Sequence, residues 1–292
     1  MNRHSRAFTL VHQDDDIVVV DKAPGVLTVP TPRRERFTLV DEVSRLLSKG
    51  TRITREAFVV HRLDRDTSGL VVFACHRAAR DRLVDAWHEH ERVYAAVVAG
   101  RVEVDADEIV SRLVTDRRTL QRRSAHHDDE GELAITRFVV DERLADACLL
   151  SVQLLTGRRN QIRVHLAECG HPILGDERYG GCGRHRRWDD RRLGLHARAL
   201  GFAHPRTGAP LHFDTGLPGA FRAFVDDARR AGPRAETTAG ATAGATERAT
   251  ERATAHAARA TNTTHTTNTT VRAPADTRRA ASTRAHTRGR RR

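Results

Sequence analysis

The run His61-Arg62-Leu63-Asp64-Arg65-Asp66-Thr67-Ser68-Gly69-Leu70 sets one carboxylate, Asp64, between two cationic side chains. A small-residue turn follows and leads into an apolar run. A nearby positive charge favours the charged form of a carboxyl group, so Arg62 and Arg65 are expected to keep Asp64 ionised. A charged carboxylate on a loop carried by a rigid scaffold is the equipment of an active site. The alternative is a surface ion-pair loop in which Thr67 and Ser68 are only turn residues. A second constellation is Cys169-x-His171 with Cys182-x-x-His185, four side chains of the types that ligate zinc. Against it, His171 of the first pair lies inside the run Gly170-His171-Pro172-Ile173, and no metal is expected.

The elements that would carry such residues can be read from periodicity. Ile17-Val18-Val19-Val20 and Leu70-Val71-Val72-Phe73 are short apolar runs rich in β-branched residues, expected as strands. The segments 93–98, 135–140 and 149–155 are also expected as strands. Thr38 with Asp41 forms a capping box for a helix whose apolar face is Leu39, Val43 and Leu46/Leu47, ended by Gly50. Further helices are expected over Arg77–His90, over Gln161–Cys169 with Ile162, Leu166 and Cys169 inward, and over Pro218–Arg229. Strands outnumber helices and do not alternate regularly with them, which points to α+β with a largely antiparallel sheet.

Charge is unevenly placed. The chain carries a formal net charge of +12, and residues 231–292 hold twelve arginines against four acidic residues. A mildly basic body with a strongly basic tail suits a polyanion such as nucleic acid. An Arg-rich composition bias is the bland alternative, since only Lys22 and Lys49 are lysines. The Ala/Thr/Arg-rich tail has few apolar anchors and is expected to be disordered, either holding a polyanion electrostatically or simply solvated. No apolar run is long enough for a membrane span. The N-terminal apolar stretch is broken by Asp14-Asp15-Asp16, so no signal peptide is expected and the protein is expected in the cytoplasm, with its four cysteines as free thiols.

His61-Arg62-Leu63-Asp64-x-x-Thr67-Ser68-Gly69-Leu70 resembles the signature of RluA-type pseudouridine synthases. Other segments are similar to that family's motifs in the same order. They are Val19-Val20-Asp21-Lys22-Ala23-Pro24-Gly25-Val26-Leu27, Arg92-Val93-Tyr94-Ala95, Gly157-Arg158-Arg159-Asn160-Gln161-Ile162-Arg163-Val164-His165-Leu166, and Gly170 to Gly180 with Leu195-His196-Ala197 and His204 to Gly208. Two departures stand out: Ala23 where the family usually has Pro after the Lys, and Arg159-Asn160 where it usually has Thr-His. The chain's two tyrosines, Tyr94 and Tyr179, both fall inside these motifs.

The resemblance spans about residues 8–230. It implies a single pseudouridine-synthase-like α+β catalytic domain over 1–230 with a mixed, mainly antiparallel sheet and a central cleft, followed by the tail 231–292. It implies isomerisation of uridines to pseudouridine in rRNA, tRNA or both, without cofactor or metal. Asp64 would be the catalytic aspartate, Arg163 its cationic partner, and Tyr94 the ring that stacks on the detached base; for Tyr94 a plain core role stays open. Arg62, Arg65, Arg158 and Arg159 are the candidates for gripping RNA phosphates, with Arg112, Arg117, Arg118, Arg122 and Arg123 in a loop or hairpin as a further series. A solvated surface role stays open for each. The protein is expected to be monomeric, and no RNA-binding module is expected ahead of the catalytic domain because the first motif already begins at Val19. Two rivals remain: an inactive RNA-binding or assembly factor on the same fold, and a metal-dependent nuclease or hydrolase.

Overall fold

The apolar runs of the sequence become the middle of one sheet. In the computed structural model, which describes residues 7–231 apart from 32–36, 51, 126, 128–129, 181–184 and 190, the strands are β1 (Phe8–Gln13), β2 (Ile17–Lys22), β3 (Phe58–Val59), β4 (Ser68–Ala74), β5 (Glu91–Ala99), β6 (Ala106–Thr115), β7 (Arg122–Ser124), β8 (Glu132–Arg143), β9 (Ala147–Leu154), β10 (Leu195–Ala203) and β11 (Pro210–Asp214). The helices are α1 (Leu39–Ser48), α2 (Arg77–Asp85), α3 (Gln161–Glu168) and α4 (Gly219–Ala231). The expected tail lies outside the described residues, except for Ala231, which closes α4. No helix is long and apolar enough to cross a membrane.

The strand order is β1-β2-β4-β10-β5-β9-β8-β6-β7, with β3 added to β4 and β11 to β10. Every pairing among the named strands is antiparallel except β4 with β10, where His196 faces Ser68 and Ala197 faces Gly69. The mixed, mainly antiparallel sheet expected from the sequence is therefore present. β4 is buried along its whole length, and β2 is buried except at Asp21. Strands covered on both faces read as continuous apolar runs rather than alternating ones. β6 and β8 alternate instead, because one of their faces meets solvent.

The sheet's two faces carry different clusters. Val18, Val20, Val71, Phe73, Tyr94, Ala96, Leu195 and Ala197 share one apolar cluster with Leu63 and Ile162. The opposite face takes α4, whose Phe221, Phe224, Val225 and Ala228 pack on Ala95, Val97 and Leu149. Also on that face, Ser68 Oγ lies 2.9 Å from His196 Nδ1, His196 Nε2 lies 2.9 Å from Thr215 Oγ1, and Arg192 donates to Ser68 Oγ at 3.1 Å. These groups line a cavity of about 240 Å³ whose lining does not include Asp64, and Arg192 Nε is left without a partner there among the described residues. Burial, and next the charge of Arg192, lowers the pKa of His196 to about 4, so the ring is a neutral structural link.

Three expectations need adjustment. The helix from Arg77 stops at Asp85, and Trp87–Glu89 form a 3-10 turn; the Ala86 N–H reaches both Arg82 and Val84 carbonyls, and the Trp87 ring turns onto His61 at 4.4 Å. Cys169 is exposed rather than inward, because α3 ends before it. Finally, α3 is not amphipathic: Gln161 to Leu166 are all buried. Its polar members are bonded to the sheet beneath, Gln161 Nε2 to Thr136 Oγ1 at 2.9 Å, and His165 to Thr136 and Ser111 hydroxyls at 2.9 and 3.0 Å. Cys75, Cys148 and Cys169 are free thiols, and Cys182 is outside the described residues.

The parallel joint depends on Gly69, whose φ is +118°. A Cβ there would overlap the backbone of Ala197, which cannot swing aside. Gly69→Ala is expected to destabilise the protein by about 2 kcal/mol or more. An unchanged urea midpoint would show that β4 and β10 are not held this closely.

Candidate active site

Asp64 sits in the segment that leads into β4, and the backbone on both sides of it is pinned. Thr28 Oγ1 donates to the Leu63 carbonyl at 2.8 Å and accepts the Leu63 N–H at 3.2 Å. Lys22, fully buried at the end of β2, donates to the carbonyls of Ala23, Val26 and Arg65 at 2.9, 2.8 and 2.9 Å. One ammonium thus ties the turn after β2 to the residue after Asp64. Burial lowers its pKa to about 8, against the opposing pull of Asp66 and Asp64.

Arg163 reaches the same place from α3. Its guanidinium is bidentate on Asp176, Nε to Oδ2 at 2.8 Å and Nη2 to Oδ1 at 2.7 Å. Asp176 also accepts the N–H groups of Arg178 and Tyr179 at 3.0 and 3.1 Å. That leaves Nη1 for Asp64, whose Oδ2 lies 3.4 Å away. The Asp64 side chain keeps 27% of its surface accessible, enough for a ligand to reach it. Burial would lower the arginine's pKa, but the hydrogen bonds and charge of Asp176, and then of Asp64, outweigh it and raise it. The tight partner of Arg163 is therefore Asp176, and Asp64 takes the remaining edge.

The electrostatics around Asp64 differ from those expected. Burial raises its pKa, Arg163 lowers it by charge and hydrogen bond, Asp176 raises it, and Arg159 lowers it, with a net upward shift. The cations acting most strongly on it are Arg163 and Arg159, not its sequence neighbours. Arg62 and Arg65 are exposed, and Arg65 Nε donates to the Gly25 carbonyl at 3.2 Å. Both side chains are solvent-exposed, where water screens their charge, so closeness in sequence did not become a strong interaction with Asp64.

Tyr94 lies on β5 between Ala197 of β10 and Val152 of β9. It belongs to the apolar cluster that holds Leu63 and Ile162, the chain neighbours of Asp64 and close to Arg163. Burial raises its hydroxyl pKa to about 12; Arg92 opposes this, and the charge of Asp64 adds to it. The phenol is therefore neutral and in the field of the Asp64 carboxylate. Arg158 and Arg159 lie just before α3, one bonded to Glu132 and the Leu133 carbonyl, the other to the Leu120 carbonyl. The basic series forms the β6–β7 hairpin, where Arg117 and Arg118 are exposed at the turn while Arg122 pairs with Glu132 at 2.7 Å.

Sequence reasoning missed Asp176, Lys22, Asn160 and Arg92 as site residues. A buried partner for Arg163 has no local signature. Arg92 shares Tyr94's side of β5, donates to the Leu154 carbonyl at 3.0 Å, lies 5.5 Å over the Trp87 ring, and leaves its Nε without a partner. Of the possible zinc ligands, His171 Nδ1 is 3.2 Å from the Ala99 carbonyl and His185 is 3.2 Å from Asp146. Cys182 is outside the described residues.

Two stability measurements follow from this geometry. Asp176→Asn leaves the buried guanidinium under-paired, and a loss of about 3 kcal/mol in urea unfolding is expected; a change under about 1 kcal/mol would mean that solvent already screens the pair. For Lys22 the folded pKa, about 8, lies below its unfolded value of 10.5, so the unfolded chain holds more protons between them. Stability of the wild type relative to Lys22→Met should therefore rise from pH 8 to 10.5 and be flat below pH 8. A flat difference across that window would contradict a desolvated ammonium.

Comparison with known proteins places this geometry in context. Residues 16–168 match the model of a family described as RNA pseudouridylate synthase. The chain is 34% identical over 227 residues to the uncharacterized RNA pseudouridine synthase YlyB of Bacillus subtilis, covering 76% of this chain and 73% of that one. It is 35% identical over 225 residues to ribosomal large subunit pseudouridine synthase D of Vibrio cholerae, covering 72% and 68%. Among solved structures, the human RNA pseudouridylate synthase domain containing 4 superposes with a TM-score of 0.63 at 22% identity, over 75% of this chain and 92% of that one.

Proposed function

Because the chain belongs to the RNA pseudouridylate synthase family, it isomerises uridine to pseudouridine in RNA, and we propose that Asp64 carries the reaction, supported by Arg163 and Tyr94. The observation that carries this reading is a partly accessible carboxylate, 3.4 Å from a guanidinium that Asp176 holds in place, beside a wall that includes Tyr94.

The reaction breaks the N1–C1′ bond, turns the base, joins C5 to C1′ and moves one proton from C5 to N1. Atoms and electrons balance within the nucleoside, so no cofactor is required. Asp64 acts beside C1′, either attacking that carbon or removing the 2′ proton to give a glycal. Both routes use the ionised carboxylate. Arg163 keeps that charge in place in a site where water is scarce, as a guanidinium stays charged and is held bidentately by its second carboxylate. Tyr94 offers a flat ring for the loosened base and a neutral hydroxyl near C5. A uridine stacked in a helix cannot reach Asp64, so the target nucleotide flips out of its stack.

RNA is gripped by Arg62, Arg65, Arg158 and Arg159 around this opening, with the β6–β7 arginines alongside. The catalytic domain ends near residue 230, and the basic tail adds non-specific attraction. Large-subunit ribosomal RNA is the first substrate to examine, because relatives in Vibrio cholerae and Haemophilus influenzae are named for it, with transfer RNA second. The protein acts as a monomer in the cytoplasm.

Mapping pseudouridine in total ribosomal and transfer RNA, with and without the gene, tests substrate and reaction together. Asp64→Asn is expected to lower product formation about 1,000-fold or more while RNA binding persists. In the wild type the rate should fall on acidification with a midpoint above 3.8, because burial raises the Asp64 pKa and only the ionised form reacts. Undiminished product from Asp64→Asn would sink the assignment and favour a different catalytic group.

A further inference from the structure

Asn160 stands just ahead of α3 with φ +57°, a left-handed conformation that asparagine tolerates better than most residues. Its amide lies between the Asp64 carboxylate and the Tyr179 hydroxyl. Which end faces which is decided by proton counting. The Tyr179 oxygen accepts the backbone N–H of Arg122 at 3.0 Å. A phenol has one proton of its own, and the Asn160 amide is the neighbour, 2.9 Å away, that can take it. The amide oxygen therefore faces Tyr179. The NH2 group then donates to Asp64, 2.6 Å from Oδ2 and 3.1 Å from Oδ1. The opposite orientation would press the amide oxygen against a carboxylate.

We propose that Asn160 is a positioning residue for Asp64, oriented by Tyr179, so that a directional chain of hydrogen bonds runs from the backbone of the β6–β7 hairpin to the carboxylate. The links are Arg122 N–H to Tyr179, Tyr179 O–H to Asn160, and Asn160 N–H to Asp64. The Asn160 contact is shorter than the 3.4 Å contact with Arg163, which is occupied mainly with Asp176. Arg163 supplies charge, and Asn160 fixes the direction in which the carboxylate oxygens point. Tyr179 is steadied in turn by the guanidinium groups of Arg163 and Arg178, 5.2 and 5.9 Å from its ring centre. The Arg159 and Arg178 side chains both donate to the Leu120 carbonyl in the hairpin turn, at 3.3 and 2.7 Å, and so hold the same hairpin against this segment. The site is therefore braced by the element that carries the exposed Arg117 and Arg118.

This inference rests on Asp64 being the catalytic carboxylate, and the test separates the two. Tritium is released when the C5 hydrogen of uridine is lost, so release can be timed under single turnover. The substrate is total RNA, labelled at uridine C5, from cells lacking the gene. Asn160→Ala is expected to slow release about 10- to 100-fold with RNA affinity unchanged. Its acid limb should move to higher pH, because a hydrogen bond to the ionised form has been lost. Asn160→Gly separates amide from backbone: glycine accepts φ +57° without strain, so equal impairment supports the amide, and recovery of the wild-type rate overturns the proposal. Tyr179→Phe should give a defect in the same direction, with no further loss when combined with Asn160→Ala. Fully additive losses, or an unmoved acid limb, overturn the relay. If Asp64→Asn is inactive while both Asn160 variants match the wild type in rate and pH profile, this inference fails and the assignment of Asp64 stands. If Asp64→Asn remains active, the earlier reading fails with it.

Discussion

The buried fork between Arg163 and Asp176 is the constraint on which the site depends. Withdrawing a guanidinium and a carboxylate from water is expensive, and such pairs often contribute little net stability. Here the cost is offset by completeness: two parallel N–H···O contacts, with two backbone N–H groups on the same carboxylate. The fork consumes two of the guanidinium's three nitrogens and leaves Nη1 directed at Asp64. A lone arginine opposite Asp64 would collapse into a closed ion pair. An arginine already engaged can offer its charge at 3.4 Å without capturing the carboxylate.

Around that fork the fold works by pinning short segments rather than by burying them. Lys22 binds three carbonyls from two different turns, and Thr28 brackets Leu63 on both its backbone groups. These contacts fix the path of the backbone through Asp64 while its side chain stays partly open. The sheet beneath is rigid because its central strands are covered on both faces, and Gly69 lets β4 and β10 approach in parallel. The cationic residues then fall into two groups. Arg163 and Arg92 are buried and engaged; Arg62, Arg65, Arg117 and Arg118 face solvent, where a polyanion can reach them. Burial thus separates arginines engaged within the fold from arginines open to a polyanion, a distinction that composition alone does not make.

Local chemistry in the chain was enough for much of this. The β-branched runs at 17–20 and 70–73 are strands as expected, and the Thr38–Asp41 box appears as both reciprocal contacts. The resemblance around Asp64, Tyr94 and Arg163 named the reaction, and the family comparisons agree with it. Strands such as β1, β10 and β11 were not read from the sequence, since they are short or only partly apolar and carry no continuous β-branched run; pairing within the sheet supplies their stability. α3 misled in a different way, because its periodicity suggests one inward stripe, whereas the helix is enclosed on all sides.

What the sequence by itself determined is therefore the family, through the motifs around Asp64, and several of the strands and helices, because residue type and local periodicity act over a few positions. The resemblance had already paired Arg163 with Asp64; what only the tertiary structure decided is how that arginine is held and which other charges come near. Arg62 and Arg65, one residue or two from Asp64, are solvent-exposed, while Arg163, 99 positions away, reaches it with its guanidinium held by Asp176. Asn160 reaches it too, and its amide direction is set by a tyrosine and a hairpin amide. Coulomb and hydrogen-bond energies depend on distance in space and on burial, and the chain reveals neither until it has folded.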